Sequence, residues 1–305
     1  MSTGLSPRRD PRSAKSPAID RREAERRAEQ MRTPTDMYPV VGRVGIKFFR
    51  TKARLWIGIF RAIGQRGYFI KDMVRAFAEP RTWVPETIRQ MRVIGVDSVP
   101  LTVIVAAFIG GVTALQTRYQ LIAGVEMTVV GLIVRQSIVL ELGPLLTGLV
   151  LTGRVGARMT AEIGTMRVTE QIDALETLAY DPHAFLIVPR FLAALIMLPT
   201  LTVLADAVGV GMGFAAALAG TDVTPTDFRE GLRWAFAPFQ VVYSLLKATM
   251  FGAAIAIVCS YEGYVTEAGA EGVGRSTAKA VVIASVTILV LDALTATALA
   301  QYLQG

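Results

Sequence analysis

Apolar residues concentrate in five long runs in the last two thirds of the chain, with short polar segments between them. The runs are residues 98–117, 138–159, 185–219, 239–260 and 279–303. A helix crosses the hydrocarbon core of a bilayer with about 20 residues, because each residue advances it by about 1.5 Å. The run 185–219 is longer, but no polar turn divides it, so we predict one kinked span. The pattern predicts an all-α polytopic membrane protein with about five transmembrane helices.

The connections between the runs differ in character. Residues 118–138 are only partly apolar and include three charged residues. They predict a short extracytoplasmic helix or a re-entrant connection that leads into the second span. Residues 220–238 are polar with a short amphipathic part, and residues 261–277 predict a polar loop rich in glycine.

The stretch 141–178 begins as membrane sequence and ends as water-exposed sequence. Arg154, Arg158 and Glu162 follow its apolar part at a spacing of four, which places them on one helix face. Residues 165–178 then predict a short amphipathic helix just outside the membrane. Its apolar face contains Met166, Val168, Ile172, Leu175 and Leu178. Four acids against one base between residues 165 and 181 favour a basic groove on a partner protein over an anionic lipid surface.

The N-terminal third is strongly basic. Residues 1–95 contain 21 Lys and Arg against 9 Asp and Glu, whereas the whole chain has a net charge of +7. A basic segment before apolar spans is typical of a cytoplasmic N-terminus, and its attachment to membrane spans disfavours nucleic-acid binding. Residues 1–36 predict a disordered cytoplasmic tail. Residues 37–97 predict amphipathic helices in the membrane interface, with a soluble helix hairpin as the alternative. Five spans then place the C-terminus outside, and the loops 160–185 and 261–278 in the cytoplasm.

The composition excludes several kinds of site. The chain has 305 residues, 52% of them hydrophobic, and a mean hydropathy of +0.45, which soluble domains rarely combine with long apolar runs. The single cysteine, Cys259, excludes an internal disulfide and a cysteine-based metal cluster. The single histidine, His183, has no second His or Cys near it, which disfavours a ligand or catalytic role. No nucleophile triad is evident, so we predict that the chain is not an enzyme.

One segment imitates a nucleotide site. Residues 269–276, GAEGVGRS, have the spacing of a phosphate-binding loop, with Arg275 in place of the lysine. A phosphate-binding loop of that kind follows a buried strand, whereas this segment lies between two membrane spans. ATP binding here is therefore disfavoured.

Four ionisable residues lie inside the apolar runs: Glu141, Asp206, Lys247 and Asp292. A charge at the bilayer centre costs about 2.5–3.5 kcal/mol on insertion scales, so such residues face a bundle interior or a wet cavity and have a partner. Lys247 and Asp292 lie at depths that let them pair across neighbouring helices. The pair either only holds two helices together or takes part in transport. Glu141 is better placed to line a cavity mouth, and Asp206 suits either role.

Four stretches of sequence resemble a known family. They are ELGPLLTGLVLTGRVGARMTAEIGTMRVTEQIDAL, DPHAFLIVPRFLA, LPTLTVLAD and AEGVGRSTAKAVVIASVTILVLDALTA. Together they make residues 98–303 resemble the MlaE-type (YrbE-like) permease subunits of ABC transporters, which move phospholipids across the bacterial envelope together with MCE proteins. The resemblance implies a permease transmembrane domain at 98–305, in the bacterial inner membrane.

The resemblance also implies a set of partners. It implies a homodimer that encloses an outward-opening phospholipid cavity, a hexameric MCE-domain protein above it, and a STAS-domain subunit. The ATPase is a separate subunit in this family. ATP and Mg would therefore be held there, and we expect no cofactor on this chain and no nucleic-acid partner.

The resemblance assigns roles to particular residues. The segment 164–178 matches the coupling helix that docks in the ATPase. The residues assigned to that docking are Gly164, Thr165, Met166, Arg167, Thr169, Glu170, Gln171 and Asp173. Lys247 and Asp292 match charged positions in the fourth and fifth spans, and Glu141 matches the glutamate of the ELGP motif. Leu140 stands where some members have arginine, so a headgroup contact from that position is not expected.

A hypothesis from a different class stays open beside this one. The chain would be a membrane scaffold without an ATPase, or a secondary transporter with Lys247 and Asp292 as a proton or ion relay. A dependence on the proton gradient that survives loss of every ATPase partner would favour this alternative.

Overall fold

A computed structural model describes residues 64–122, 124–267 and 269–299, and this part of the chain consists of helices joined by short connections, without a strand. The predicted tail 1–36, and residues 37–63 of the predicted interfacial segment, lie outside the described residues. The chain divides into two units, residues 1–65 and 66–305, and the contacts described below are those of the second unit.

Nine helices are described. Residues 64–76 form α1. The others are α2 (Pro80–Ile94), α3 (Val99–Gln120), α4 (Thr128–Val168), α5 (Gln171–Thr177), α6 (His183–Gly220), α7 (Pro225–Arg233), α8 (Phe239–Tyr264) and α9 (Ala270–Leu299). Five helical runs are long and apolar enough to cross a membrane: α2 with α3, then α4, α6, α8 and α9. The predicted fold class and number of spans are confirmed.

The spans have two ends, named here after the short helices found there. The α5 side holds α2, the end of α4, α5, the start of α6, the end of α8 and the start of α9. The α7 side holds the opposite ends and α7. The main core lies among α4, α6, α8 and α9, where Leu151, Leu198, Phe251 and Ile255 are buried. A smaller core around Phe228 joins α7 to α3, α4 and α6.

The prediction that residues 118–138 form a separate connection is wrong in its second half. Helix α4 begins at Thr128 and continues without a break to Val168. Arg135 interrupts the apolar pattern, but it is buried and its guanidinium donates to Gln240 Oε1 at 2.9 Å and to the Trp234 carbonyl at 3.1 Å. The two terminal nitrogens of the guanidinium therefore have acceptors in α8 and in the connection before it, while its Nε has no hydrogen-bond partner among the described residues. The helix does not need to end before Arg135.

The same end of the molecule is held by an exposed ion pair. Arg118 at the end of α3 donates to both carboxylate oxygens of Asp222, at 2.6 and 2.8 Å. The hydrogen bond from Arg118 lowers the pKa of the Asp222 carboxyl. This bidentate contact fixes the turn between α6 and α7 against α3.

The predicted single amphipathic helix at 165–178 is also wrong. Helix α4 extends to Val168, and Glu170 then has a φ of 61°, in the left-handed region, so the helix stops there. The separate helix α5 has only 7 residues. Ile172 is buried as predicted, whereas Leu178 is 69% exposed. The break turns α5 away from the axis of α4.

The predicted glycine-rich loop 261–277 is much shorter than expected. Helix α8 ends at Tyr264 and α9 begins at Ala270. Residues 270–276 of the segment that imitates a phosphate-binding loop are therefore the first turns of α9, and a helix rather than a buried strand precedes the segment. The fifth span begins well before residue 279.

Helices α3 and α6 cross at a point where only glycine fits. A Cβ on Gly110 would lie 1.9 Å from the carbonyl oxygen of Gly209, which is backbone and cannot move aside alone. A Cβ on the neighbouring Gly111 would meet only the Ala216 side chain, at 3.6 Å. The two helices therefore approach through the small-residue faces that both carry.

We predict that Gly110→Ala lowers the free energy of unfolding by about 1–3 kcal/mol, because the two helices must separate to accept the methyl group. Gly111→Ala is the matched control, with the same chemical change one residue away, and should leave stability unchanged or slightly raised. Thermal unfolding of both variants in detergent measures the difference. Equal melting temperatures would show that the crossing is not tight.

Candidate functional site

A cluster of three charged residues lies inside the bundle between α4, α8 and α9. Lys247 Nζ is 2.8 Å from Glu141 Oε2 and 2.5 Å from Asp292 Oδ1. Lys247 is fully buried, the Asp292 side chain is 11% exposed, and the Glu141 side chain is 45% exposed. We call these three residues the Lys247 cluster.

The backbone of α4 supplies a further contact to the cluster. Residues Ile138–Leu142 form a π-helical turn, in which the Gly143 amide donates to the Ile138 carbonyl. Such a turn widens the helix and changes which carbonyls are used within it. The Leu140 carbonyl accepts a hydrogen bond from Lys247 Nζ at 3.2 Å. The ammonium therefore donates hydrogen bonds to Glu141 and to the Leu140 carbonyl, and Asp292 is its third partner through the ion pair.

The cluster has a formal charge of −1, with two carboxylates and one ammonium. The ring of Tyr243 lies 5.2 Å from Lys247 Nζ and adds a favourable contact for the cation. Because Glu141 is half-exposed while its partners are buried, the cluster presents its excess negative charge on the Glu141 side. A positively charged or hydrogen-bond-donating group would be favoured there.

Asp206 lies apart from the Lys247 cluster. It accepts a hydrogen bond from Ser244 at 3.2 Å, and Ser244 is one helical turn before Lys247 on α8. The other Asp206 oxygen has no hydrogen-bond partner among the described residues. That oxygen lies only 1.8 Å from the place where a Cβ on Gly143 would be. Any side chain at position 143 would therefore collide with the Asp206 carboxylate, so the glycine of the ELGP motif leaves the space that Asp206 occupies.

A shallow apolar groove with about 20 Å³ of open space adjoins this carboxylate, between α3, α4 and α6. Its walls include Gly143 and Ala205, which flank Asp206, and branched residues such as Val105 and Leu146. It offers an apolar wall beside a carboxylate rather than a cavity that encloses a ligand.

The structure brings together three of the four predicted intramembrane residues. Lys247 and Asp292 are in contact, and Glu141 is the third member of their cluster. Asp206 is held by Ser244 instead. The sequence did not predict the contact of Glu141 with Lys247. The predicted span began at residue 138, which placed Glu141 at its outer end, whereas α4 begins at Thr128.

Two ion-pair networks lie on the α5 side, and the sequence indicated only the local Arg158–Glu162 part of them. Glu162 accepts from Arg158 at 2.7 Å and from the buried Arg190 at 3.2 Å, which links α4 to α6. Glu262 is 1% exposed and lies 2.9 Å from Arg66 and 2.8 Å from Lys279, which links α8 to α1 and α9. The contacts of Arg190 and Glu262 join different helices, so no local spacing predicted them.

The segment predicted to contact an ATPase lies on the α5 side. Gly164 packs against Thr266, where a Cβ would come within 2.9 Å of the hydroxyl. Arg167 forms an ion pair with Asp173 at 2.6 Å, which holds α5 to the end of α4. The remaining predicted residues line one continuous surface from the end of α4 to α5. Of these, Thr165, Thr169, Glu170, Gln171 and Asp173 are exposed, and Met166 is partly buried.

The described part of the chain holds no group of three His, Cys, Asp or Glu residues that would bind a metal ion. The sequence model described as Permease MlaE matches residues 87–298. The chain belongs to the MlaE permease family. MlaE permeases are membrane subunits of transporters, so the chain is a permease subunit and not an enzyme.

Curated relatives agree with this family. A probable ABC transporter permease protein of Rickettsia prowazekii is 38% identical over 251 residues, which cover 82% of this chain and 93% of that protein. The intermembrane phospholipid transport system permease protein MlaE of Haemophilus influenzae is 33% identical over 254 residues, 81% of this chain and 95% of that one. A probable ABC transporter permease protein of Synechocystis is 40% identical over 205 residues, 67% and 78% of the two chains. As an ABC permease of the MlaE family, the chain works with an ATPase partner.

We predict that Lys247→Met destabilises the protein by about 3–5 kcal/mol, because Asp292 is then buried without its cation. Adding Asp292→Leu to Lys247→Met should restore much of the loss, since an apolar pair needs no compensating charge. Glu141 is half-exposed and keeps contact with its surroundings in both variants. Unfolding of the purified variants in one detergent measures both effects. A double variant as unstable as the single one would contradict the assignment of the instability to an unpaired carboxylate.

Proposed function

We propose that this permease moves phospholipid between its own membrane and an MCE-domain protein, driven by ATP hydrolysis on its ATPase partner. We further propose that it acts as a homodimer, with a hexameric MCE protein on the α7 side and a STAS-domain subunit bound to the ATPase. The α5 side, with the N-terminus, would face the cytoplasm of a bacterial inner membrane. The Haemophilus relative, an intermembrane phospholipid transport system permease protein, supports the choice of cargo.

The observation that carries this proposal is the continuity of α4. One helix of 41 residues runs from Thr128 past Glu141 to Val168, directly before α5. The distance along the helix from Glu141 to Val168 is about 40 Å at a rise of about 1.5 Å per residue. A force applied to α5 by a partner would tilt or turn α4 and so move Glu141 and the Leu140 carbonyl relative to Lys247.

The chemistry at α5 and at the Lys247 cluster fits a movement that α4 passes from one to the other. The acidic, exposed α5 suits docking on a basic surface of the ATPase. The Lys247 cluster and the adjoining apolar groove offer charge and apolar wall to a lipid, so a shift of α4 would change both at once. The alternative, a scaffold or secondary transporter with Lys247 and Asp292 as an ion relay, draws support from the same buried charges. It gives no role to the exposed acids of α5.

We expect the gently solubilised, affinity-purified protein to carry an ATPase and an MCE-domain protein at a fixed ratio, with phospholipid retained. Mass spectrometry of the intact complex scores the subunits and the lipid together. A chain that stays without any ATPase in several mild detergents would favour the scaffold or secondary transporter.

We predict that the double variant Glu170→Arg/Asp173→Arg lowers ATP-driven lipid transfer at least severalfold while the permease still folds. Both positions are exposed, and Glu170 already has a left-handed backbone, so arginine adds no new strain there. Glu126→Arg/Glu230→Arg is the control for charge, with the same change on exposed residues of the α7 side. Asp173→Asn is the control for structure, because it loses the ion pair with Arg167 without adding a positive charge. Lipid transfer and ATPase activity are measured on the reconstituted complex. Normal transfer in the α5 variant would refute docking at α5.

A further inference from the structure

A second cleft, rich in arginine, opens on the α5 side between α2, α4 and α6. It has a volume of about 580 Å³ and contains Arg89, Arg158 and Arg190 in its wall. A much narrower extension, with only about 20 Å³ of open space, continues from it and is lined in addition by Arg154. We call the two together the arginine cleft. It lies toward the opposite end of α4 from the Lys247 cluster.

The arginine cleft has more positive charge than its own acids neutralise. Its four arginines face one lining carboxylate, Glu162, which accepts from Arg158 and Arg190. Glu86, beside the cleft, pairs with Arg89 at 2.8 Å. The formal charge is +2 when both acids are counted. Arg154 has no ion-pair partner among the described residues, so its charge is free for a ligand.

A buried donor also points to a missing acceptor. Arg190 is 5% exposed and lines both parts of the cleft. Two of its nitrogens donate, to the Leu186 carbonyl and to Glu162, but its Nε has no hydrogen-bond partner. Buried guanidinium N–H groups without acceptors are uncommon and costly, so an anionic oxygen in the cleft would satisfy a group that the protein leaves open.

Apolar side chains stand beside the arginines along the whole cleft. Val93, Ala161 and Met166 line its wider part, and Val93, Ile94, Val155 and Met159 line the extension together with Arg154, Arg158 and Arg190. The extension also lies near the charged ends of the spans. Gly156, which follows Arg154 and Val155 in α4, packs against Cys259 of α8. Cys259 is one helical turn before Glu262. Arginines beside an apolar wall at this level suit an amphiphile with a phosphate, rather than a soluble acidic peptide that would need polar surroundings along its whole length.

We propose that the arginine cleft binds the phosphate-bearing headgroup of an anionic membrane lipid, with its acyl chains along Val93, Ala161 and Met166 of the wider part. Arg154 and Arg190 hold the phosphate, and Arg89 and Arg158 supply the surrounding positive field. This site is distinct from the Lys247 cluster, where the excess charge is negative. Lipid binding in the arginine cleft requires neither ATP hydrolysis nor transport. Its test is therefore independent of the proposed function.

The test is lipid retention by the full-length chain, purified with its co-purifying subunits from nanodiscs that contain phosphatidylglycerol in phosphatidylcholine. Native mass spectrometry counts the phosphatidylglycerol molecules that stay bound. Arg154→Gln should reduce retention about tenfold, as expected for the loss of one charge-assisted hydrogen bond. Arg154→Lys keeps the charge and should retain part of the binding. Arg229→Gln, an exposed arginine of α7, is the matched control and should have no effect.

The possible outcomes separate the sources of the anion. Loss of retention in Arg154→Gln alone, with an unchanged melting temperature, supports the proposal. Unchanged retention in Arg154→Gln overturns it. Displacement of the lipid by inorganic phosphate at equal concentration would assign the cleft to a soluble phosphate compound instead. If Arg154→Gln weakens assembly with the ATPase but leaves retention intact, the cleft binds an acidic segment of that partner, and the lipid proposal fails.

Discussion

An ammonium group buried in an apolar helix bundle must be surrounded by acceptors, and much of this fold depends on how those of Lys247 are provided. Two carboxylates come from different helices, α4 and α9, and one backbone carbonyl comes from α4. None of the three helices can shift alone without leaving a charge or an N–H group unpaired, which costs several kcal/mol in such surroundings. The cluster therefore fixes α4, α8 and α9 relative to one another near the α7 side.

Where there are no charged groups, close backbone contacts hold the helices together. Gly110 and Gly209 bring α3 against α6, and Gly252 brings α8 against Ala194 of α6. Between helices in lipid there is little hydrophobic gain from association, so close packing and a few polar contacts have to hold the bundle. Helix α6 is the common partner in both contacts. Helix α6 is therefore held by both neighbours. Helix α4, which carries Glu141 of one charged site and Arg154 of the other, packs beside it.

The spans were predictable from sequence because the length of an apolar run is a local property that the bilayer dictates. The start of α4 was not, because Arg135 is satisfied by Gln240 and the Trp234 carbonyl, about a hundred residues away. The same reason hid Glu262 and Arg190. Sequence spacing revealed the local Arg158–Glu162 pair, whereas the contacts of Glu162 with Arg190 and of Lys247 with Glu141 join different helices. Charge in an apolar run therefore identifies candidate residues, and only the fold identifies their partners.

Helix α4 deviates from regular α geometry at two places, and each lies beside one of the charged sites. One π turn, Ile138–Leu142, contains Glu141 and provides the Leu140 carbonyl to Lys247. The other, Thr152–Gly156, contains Arg154 of the arginine cleft. A π turn holds one more residue than an α turn and has weaker internal bonding, so it rotates the side chains beyond it and gives way more easily. Between these two turns α4 is a regular helix, so bending is confined to the turns that hold the charged groups. Helix α4 is therefore suited to pass movement from one charged site to the other.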